Sequence, residues 1–184
     1  MVRQKRKNRF YLYVCVFFIA CVVGWIAELI FRRVKAGYWV IPGFMYGPYL
    51  PIYGFGALIM VIIFGKMAAT KLQICKVNSM PIFVFLCSFL LLSVMEYFTS
   101  FALEKIFDLT LWNYDAHNYN INGRVSLKQS IPLGVAGTLF IYLMYPPLGR
   151  KLGKMKQKTA KIAAVTILAV MSVDLVISSV KYLK

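Results

Sequence analysis

Glu96 stands far inside the apolar run 80–107, and the spacing Ser93, Glu96, Ser100, Glu104 sets four polar side chains on one helical face. Two ionisable carboxyls on one face can exchange protons, hydrogen-bond a polar ligand or cross-link helices. A carboxylate at the centre of a membrane helix costs about 2.5–3.5 kcal/mol on insertion scales, so this stripe is expected to face protein, a water-filled cavity or a ligand. The competing reading is helix-to-helix hydrogen bonding by serines and a protonated glutamate, which requires no ionisable group.

Two further carboxylates stand in apolar surroundings. Glu28 lies three residues after Trp25 and four before Arg32, which predicts either an i, i+4 ion pair or a polar intramembrane site. Asp174 lies in the last apolar run, with Ser178 one turn on, and reads equally as a ligand group or as a partner for a neighbouring element. Lys105 and Asp108, near the end of the 80–107 run, are given no chemistry.

Two polar connections supply the remaining candidates. The first, Pro42 to Gly56, holds three prolines and four glycines among tyrosines that include Tyr46 and Tyr53. That composition predicts an irregular backbone, which survives at membrane depth only beside protein or a cavity. A rigid interfacial turn with an aromatic belt fits the composition equally well. The other connection carries Trp112, Asn113, Tyr114 and Asp115, then Asn120, Ile121, Asn122, Gly123 and Arg124. Asn122-Gly123 predicts a turn, and the Arg124 guanidinium offers a planar fork for a carboxylate or phosphate, with Glu96, Glu28 or a substrate anion as its expected partner.

The elements that must position these residues follow from hydropathy. The chain has 184 residues, 60% of them hydrophobic and 15% charged, with a mean hydropathy of +0.69, which excludes an ordinary water-soluble domain. Twenty-two Lys and Arg against six Asp and Glu would suit a nucleic-acid binder, but the basic residues sit between apolar runs, as membrane loops require, so no nucleic-acid partner is expected. Runs long enough to cross about 30 Å of hydrocarbon are 11–31, 51–67, 80–107, 131–148 and 162–182. The second and fourth are short and rich in Pro and Gly, so broken or re-entrant ends are expected there.

The predicted fold is all-α: a polytopic membrane bundle of about five spans in a single domain, 1–184. Its two irregular connections fall on one face, and a basic arm, 1–10, precedes the first span. The arm also suits a signal peptide, but the apolar run behind it is too long for one. Fourteen Lys and Arg fall on the arm's side and eight on the other, which predicts a cytoplasmic N-terminus and an external C-terminus. The bilayer is the expected surround. No internal repeat is evident, so an inverted-repeat transporter is not expected within one chain, although a homo-oligomer is compatible with the sequence. Cys15, Cys21, Cys75 and Cys87 form no CxxC pair, and with His117 as the one histidine no metal-ligand spacing emerges.

Taken in order, several short motifs resemble the putative type IV ABC-transporter permease family of bacterial membrane proteins. They are Gly24-Trp25 with Glu28; Gly43-Phe44, Tyr46-Gly47-Pro48 and Pro51-Ile52-Tyr53-Gly54; Glu96-Tyr97, Thr99-Ser100, Leu103-Glu104-Lys105 and Phe107; Trp112 with Tyr114; and Asn120 to Arg124. The resemblance covers roughly residues 17–150. Ile41-Pro42 replaces the Asn-Arg that the family usually places before its Gly-Phe pair. Asn113 replaces the usual Asp after the tryptophan, and Asp115 can compensate.

The resemblance implies a bacterial cell-membrane permease that moves a substrate through a polar cavity lined by Glu28, Glu96 and Arg124. No GxxxxGK[ST] occurs, so the chain carries no cofactor of its own, and ATP would act only through a separate ATPase subunit. Two alternatives stay open. A membrane-embedded enzyme would act on a lipid or isoprenoid phosphate with Glu96 or Glu28 as general acid or base and Arg124 on the phosphate. An assembly or regulatory protein would use the polar stripe for helix association.

Overall fold

The computed structural model describes residues 2–65, 73–74 and 77–183, with side chains described at 9–65 and 79–183. Met67 and Cys75, and the side chains of Arg3, Lys5, Arg6 and Lys7, lie outside the described residues. The helices are α1 (Val2–Ala36), α2 (Pro51–Phe64), α3 (Met80–Phe107), α4 (Leu127–Leu139), α5 (Tyr145–Gly153) and α6 (Gln157–Tyr182). Two small antiparallel hairpins complete the described structure: β1 (Gln73–Ile74) with β2 (Val77–Asn78), and β3 (Asn120–Ile121) with β4 (Val125–Ser126).

Among the described residues, four stretches are long and apolar enough to cross a membrane: Arg9–Ala36, Met80–Phe107, Leu127–Gly153 and Gln157–Tyr182. The helical bundle and its approximate span count therefore agree with the sequence reading. α2 is the exception among the five predicted spans. Its 14 residues rise only about 21 Å, less than the hydrocarbon thickness. The fourth span is longer than its apolar run suggested, because α4, a π-helical turn at Phe140–Met144 and α5 are continuous. That widened turn lies just before Pro146 and Pro147, whose rings crowd the carbonyls one turn back and which have no N–H to donate.

The chain packs as two compact units, divided at Phe55–Gly56 and at Pro147–Leu148. In the first, α1 packs along α6. Its interior includes Val16, Cys21, Tyr49, Leu50, Ala160 and Ala164. Gly24 is needed here for close approach, since a Cβ at that position would run into the Tyr53 ring. In the second unit α4 folds back along α3, and the interior includes Met60, Val84, Ser88 and Ile141. Small residues allow this packing, as is usual between membrane helices.

Candidate functional site

In the second unit the predicted stripe on α3 divides by depth. Glu96 and Ser100 are each 7% exposed, whereas the Glu104 side chain is 40% exposed. The Ser93 hydroxyl donates back to the Phe89 carbonyl at 2.6 Å, so it serves its own helix. Glu96 Oε1 accepts from the Tyr114 hydroxyl at 3.0 Å, which joins the buried carboxyl to the connection beyond α3.

Arg124 stands on the β3–β4 turn, which the Tyr114 N–H joins by donating to the Gly123 carbonyl at 2.8 Å. The sequence reading gave it Glu96, Glu28 or a substrate anion; the structure instead pairs Arg124 Nη2 with Glu104 Oε2 at 2.5 Å. The reason is register along one helix face. Tyr97, Phe101 and Glu104 stand at i, i+4 and i+7, so the guanidinium that rests 5.6 Å from both ring centroids meets Glu104 at the end of the row. Arg124 Nε is buried without a hydrogen-bond partner among the described residues. Trp112 fixes the arginine from behind, its indole N–H donating to the Arg124 carbonyl at 3.0 Å.

The connection is folded by its own amides. Asn122 (φ 51°) and Gly123 (φ 66°) form the predicted turn, closed by the Arg124 N–H to the Ile121 carbonyl at 3.0 Å. The Asn120 side chain donates to the His117 carbonyl at 2.8 Å and accepts the Gly123 N–H at 3.0 Å. Asp115 accepts from the Asn113 amide at 2.9 Å. Asn120 and Asp115, both candidate site residues, thus make hydrogen bonds within this connection. Asn122 ties that turn to α3 by donating to the Tyr97 hydroxyl at 3.1 Å.

The sequence reading did not single out His117, which stacks on Tyr114 with centroids 5.3 Å apart and shares a 2.9 Å hydrogen bond with Ser126. It likewise missed the aromatic cradle, although the Tyr97, Phe101, Glu104 spacing carried that signal.

The first unit holds the other predicted residues. Glu28 forms the i, i+4 pair with Arg32 at 2.9 Å and accepts from the Tyr53 hydroxyl at 3.3 Å, with Trp25 half-buried on the same helix. Asp174 grips the first connection. Its carboxylate accepts the Tyr46 and Gly47 backbone N–H groups at 3.1 and 2.9 Å, the Tyr49 hydroxyl at 2.5 Å and the Ser178 hydroxyl at 3.0 Å. Burial, and after it the hydrogen bond to Asp174, holds the Tyr49 phenol above the ordinary tyrosine range. The Tyr46 ring carries Lys181 at 4.8 Å. Beside the clasp lies an open groove of about 600 Å³ formed by Tyr46, Tyr49, Val170, Val173 and Ile177. It is an apolar surface.

The structure therefore unites Glu96, Tyr114, Trp112, Asn122, Arg124 and Glu104 in one unit, and Glu28, Tyr53, Tyr46 and Asp174 in the other. No group of three or more His, Cys, Asp and Glu able to hold a metal occurs among the described residues. The family model described as Putative ABC-transporter type IV matches residues 15–179, which takes in both sites. The chain belongs to this family. Comparison with curated proteins and with solved structures finds no match. Membership in the type IV ABC-transporter family and the four membrane-length helices make this a membrane protein of transporter type. Within that setting Glu96 and Arg124 hold the greatest chemical capacity. A buried carboxyl can accept or donate according to its protonation, and a guanidinium with an unspent N–H can receive an oxyanion.

Proposed function

We propose that this chain is the membrane-embedded permease subunit of an ABC-type transporter and that its substrate contacts the Glu96–Arg124 site. The observation that carries the reading is Glu96, 7% exposed on a membrane-length helix and bonded by Tyr114, in the same unit as the Arg124 guanidinium, whose Nε has no hydrogen-bond partner among the described residues. An intramembrane ionisable group is costly, and a passage for polar cargo gives it a use. An oxyanion on the substrate displaces Glu104 from Arg124, since the 40%-exposed glutamate is already partly hydrated and gives up little on leaving. Glu96 then meets a polar group on the substrate as donor or acceptor. ATP enters through a separate ATPase subunit, and the N-terminus is cytoplasmic.

Purification of the tagged protein from its native membrane in mild detergent tests this. The expected result is a stoichiometric ATPase whose turnover falls about tenfold or more with Glu96→Gln while the assembly stays intact, a loss typical for removal of one proton-transfer or charge-stabilising group. Recovery without an ATPase, or turnover indifferent to both Glu96→Gln and Arg124→Ala, overturns the reading. Tolerance of Glu96→Gln in an intact assembly would instead mark the stripe as a helix-association surface.

A further inference from the structure

Between Asp115 and Asp174 the chain carries no Asp or Glu, yet Arg150, Lys151, Lys154, Lys156, Lys158 and Lys161 fall within twelve consecutive residues. All six are exposed on α5, the following turn and the first turns of α6. The corner is well built: Leu152 is 8% exposed and Ala160 is fully buried, and the turn is closed by the Met155 N–H to the Leu152 carbonyl at 3.0 Å. Leu152 is buried on α5, while Arg150 and Lys151 on α5 and Lys154 in the following turn are exposed. Among the described residues the five lysines of this corner form no ion pair with the protein. Ion pairs occur in the chain at Arg32 with Glu28 and at Arg124 with Glu104, both far in sequence from this corner. Marking membrane orientation requires only a charge excess. Five exposed lysines with no ion-pair partner among the described residues, on a corner joined directly to two membrane-length helices, stand at headgroup level, where phosphate is the available anion.

We propose that the α5–α6 corner is a binding site for anionic phospholipid, with Lys154, Lys156 and Lys158 holding the headgroup phosphate. The site is independent of the Glu96–Arg124 reading and of which face of the membrane the corner occupies.

The full chain, purified in neutral detergent, is mixed with phosphatidylglycerol or phosphatidylcholine, and bound lipid is counted by native mass spectrometry. Phosphatidylglycerol is expected to be retained preferentially and to be shed as salt rises toward 0.5 M, about three times physiological strength. A lysine near a lipid surface is worth about fivefold in affinity, so Lys154→Gln, Lys156→Gln and Lys158→Gln together are expected to lower retention about tenfold or more. Removing the same number of charges at Lys105, Lys128 and Lys181 is expected to lower it less than about twofold if the corner is a local site. Should the triple variant fail to fold, Lys156→Gln alone is expected to cost about fivefold. Equal retention of the two lipids, or equal loss in the corner and control variants, overturns the proposal. So does a corner that binds an acidic protein partner while showing no preference for the anionic lipid.

Discussion

Each packing unit brings a carboxylate from a membrane helix against an irregular connection, but the two carboxylates are used differently. Asp174 is saturated by two backbone N–H groups and two hydroxyls. A charge satisfied that completely has little left for a ligand, and its work is to hold the Tyr46–Tyr49 segment in place. In the other unit the framework bonds are made by Asn113, Asn120 and Trp112, while Arg124 keeps a buried Nε with no hydrogen-bond partner among the described residues. Buried donors are rarely left unspent, because each costs about 1–3 kcal/mol. The difference is in how the bonds are placed: the Asp174 carboxylate uses its acceptors on its connection and Ser178, while the other connection carries an Arg124 Nε with no hydrogen-bond partner among the described residues.

The sharpest way to break that contrast is to remove one charge from each unit and read two quantities. Arg124→Ala is expected to lower transport-coupled ATP turnover at least about tenfold, as loss of a charge-stabilising group does, and to shift the melting midpoint only modestly. Asp174→Ala is expected to do the reverse. Losing hydrogen bonds to a charged acceptor destabilises by about 2–3 kcal/mol, visible in thermal melts in detergent, while turnover per folded molecule stays within about twofold. If Asp174→Ala abolishes turnover in protein that still melts like wild type, the distinction fails.

The sequence revealed the scaffold more readily than the pairings. The run 80–107 coincides with α3, and Asn122-Gly123 makes the expected turn, because hydrophobic length and turn chemistry are local properties. Glu28 with Arg32 was equally legible at i, i+4. The partner of Arg124 was not, since it depends on where a connection of nearly twenty residues sets its far end against α3. Asp174 and Tyr46 are 128 residues apart, and nothing in local spacing indicates that a last-span carboxylate will accept the Tyr46 and Gly47 backbone N–H groups. The bonds that Asn120 and Asp115 make within the connection were illegible for a related reason, since Asn and Asp serve turns and ligands through the same kinds of hydrogen bond.

Smaller perturbations sharpen the picture of the first unit. Gly24→Ala places a methyl against the Tyr53 ring, and such overpacking is expected to cost about 1–3 kcal/mol in the same melts and to loosen the Tyr53 bond to Glu28. Glu28→Gln removes the pair with Arg32. With side chains 21% and 26% exposed, the pair is partly solvated, and the expected loss is under about 1 kcal/mol. A drop several times larger would mean that Glu28, like Asp174, clasps its connection.

The finest test of the clasp is its pH dependence. The Tyr49 phenol keeps its proton in the folded protein to a higher pH than the ordinary tyrosine value of 10.0, because burial and the bond to Asp174 both disfavour a phenolate. Above that value the unfolded chain has lost this proton and the folded chain has not, so the folded state binds more protons and stability falls as pH rises. The slope from this group is at most about 1.4 kcal/mol per pH unit, starting near pH 10 and absent below it. Lysines and the other tyrosines titrate in the same range, so the informative quantity is the difference between wild type and Tyr49→Phe. The variant is expected to be less stable near neutral pH, where it lacks the bond to Asp174, and to lose stability less steeply above pH 10, so the two melting curves converge with alkalinity. Parallel curves across that range would show that the Tyr49 proton is not what holds the first connection to Asp174.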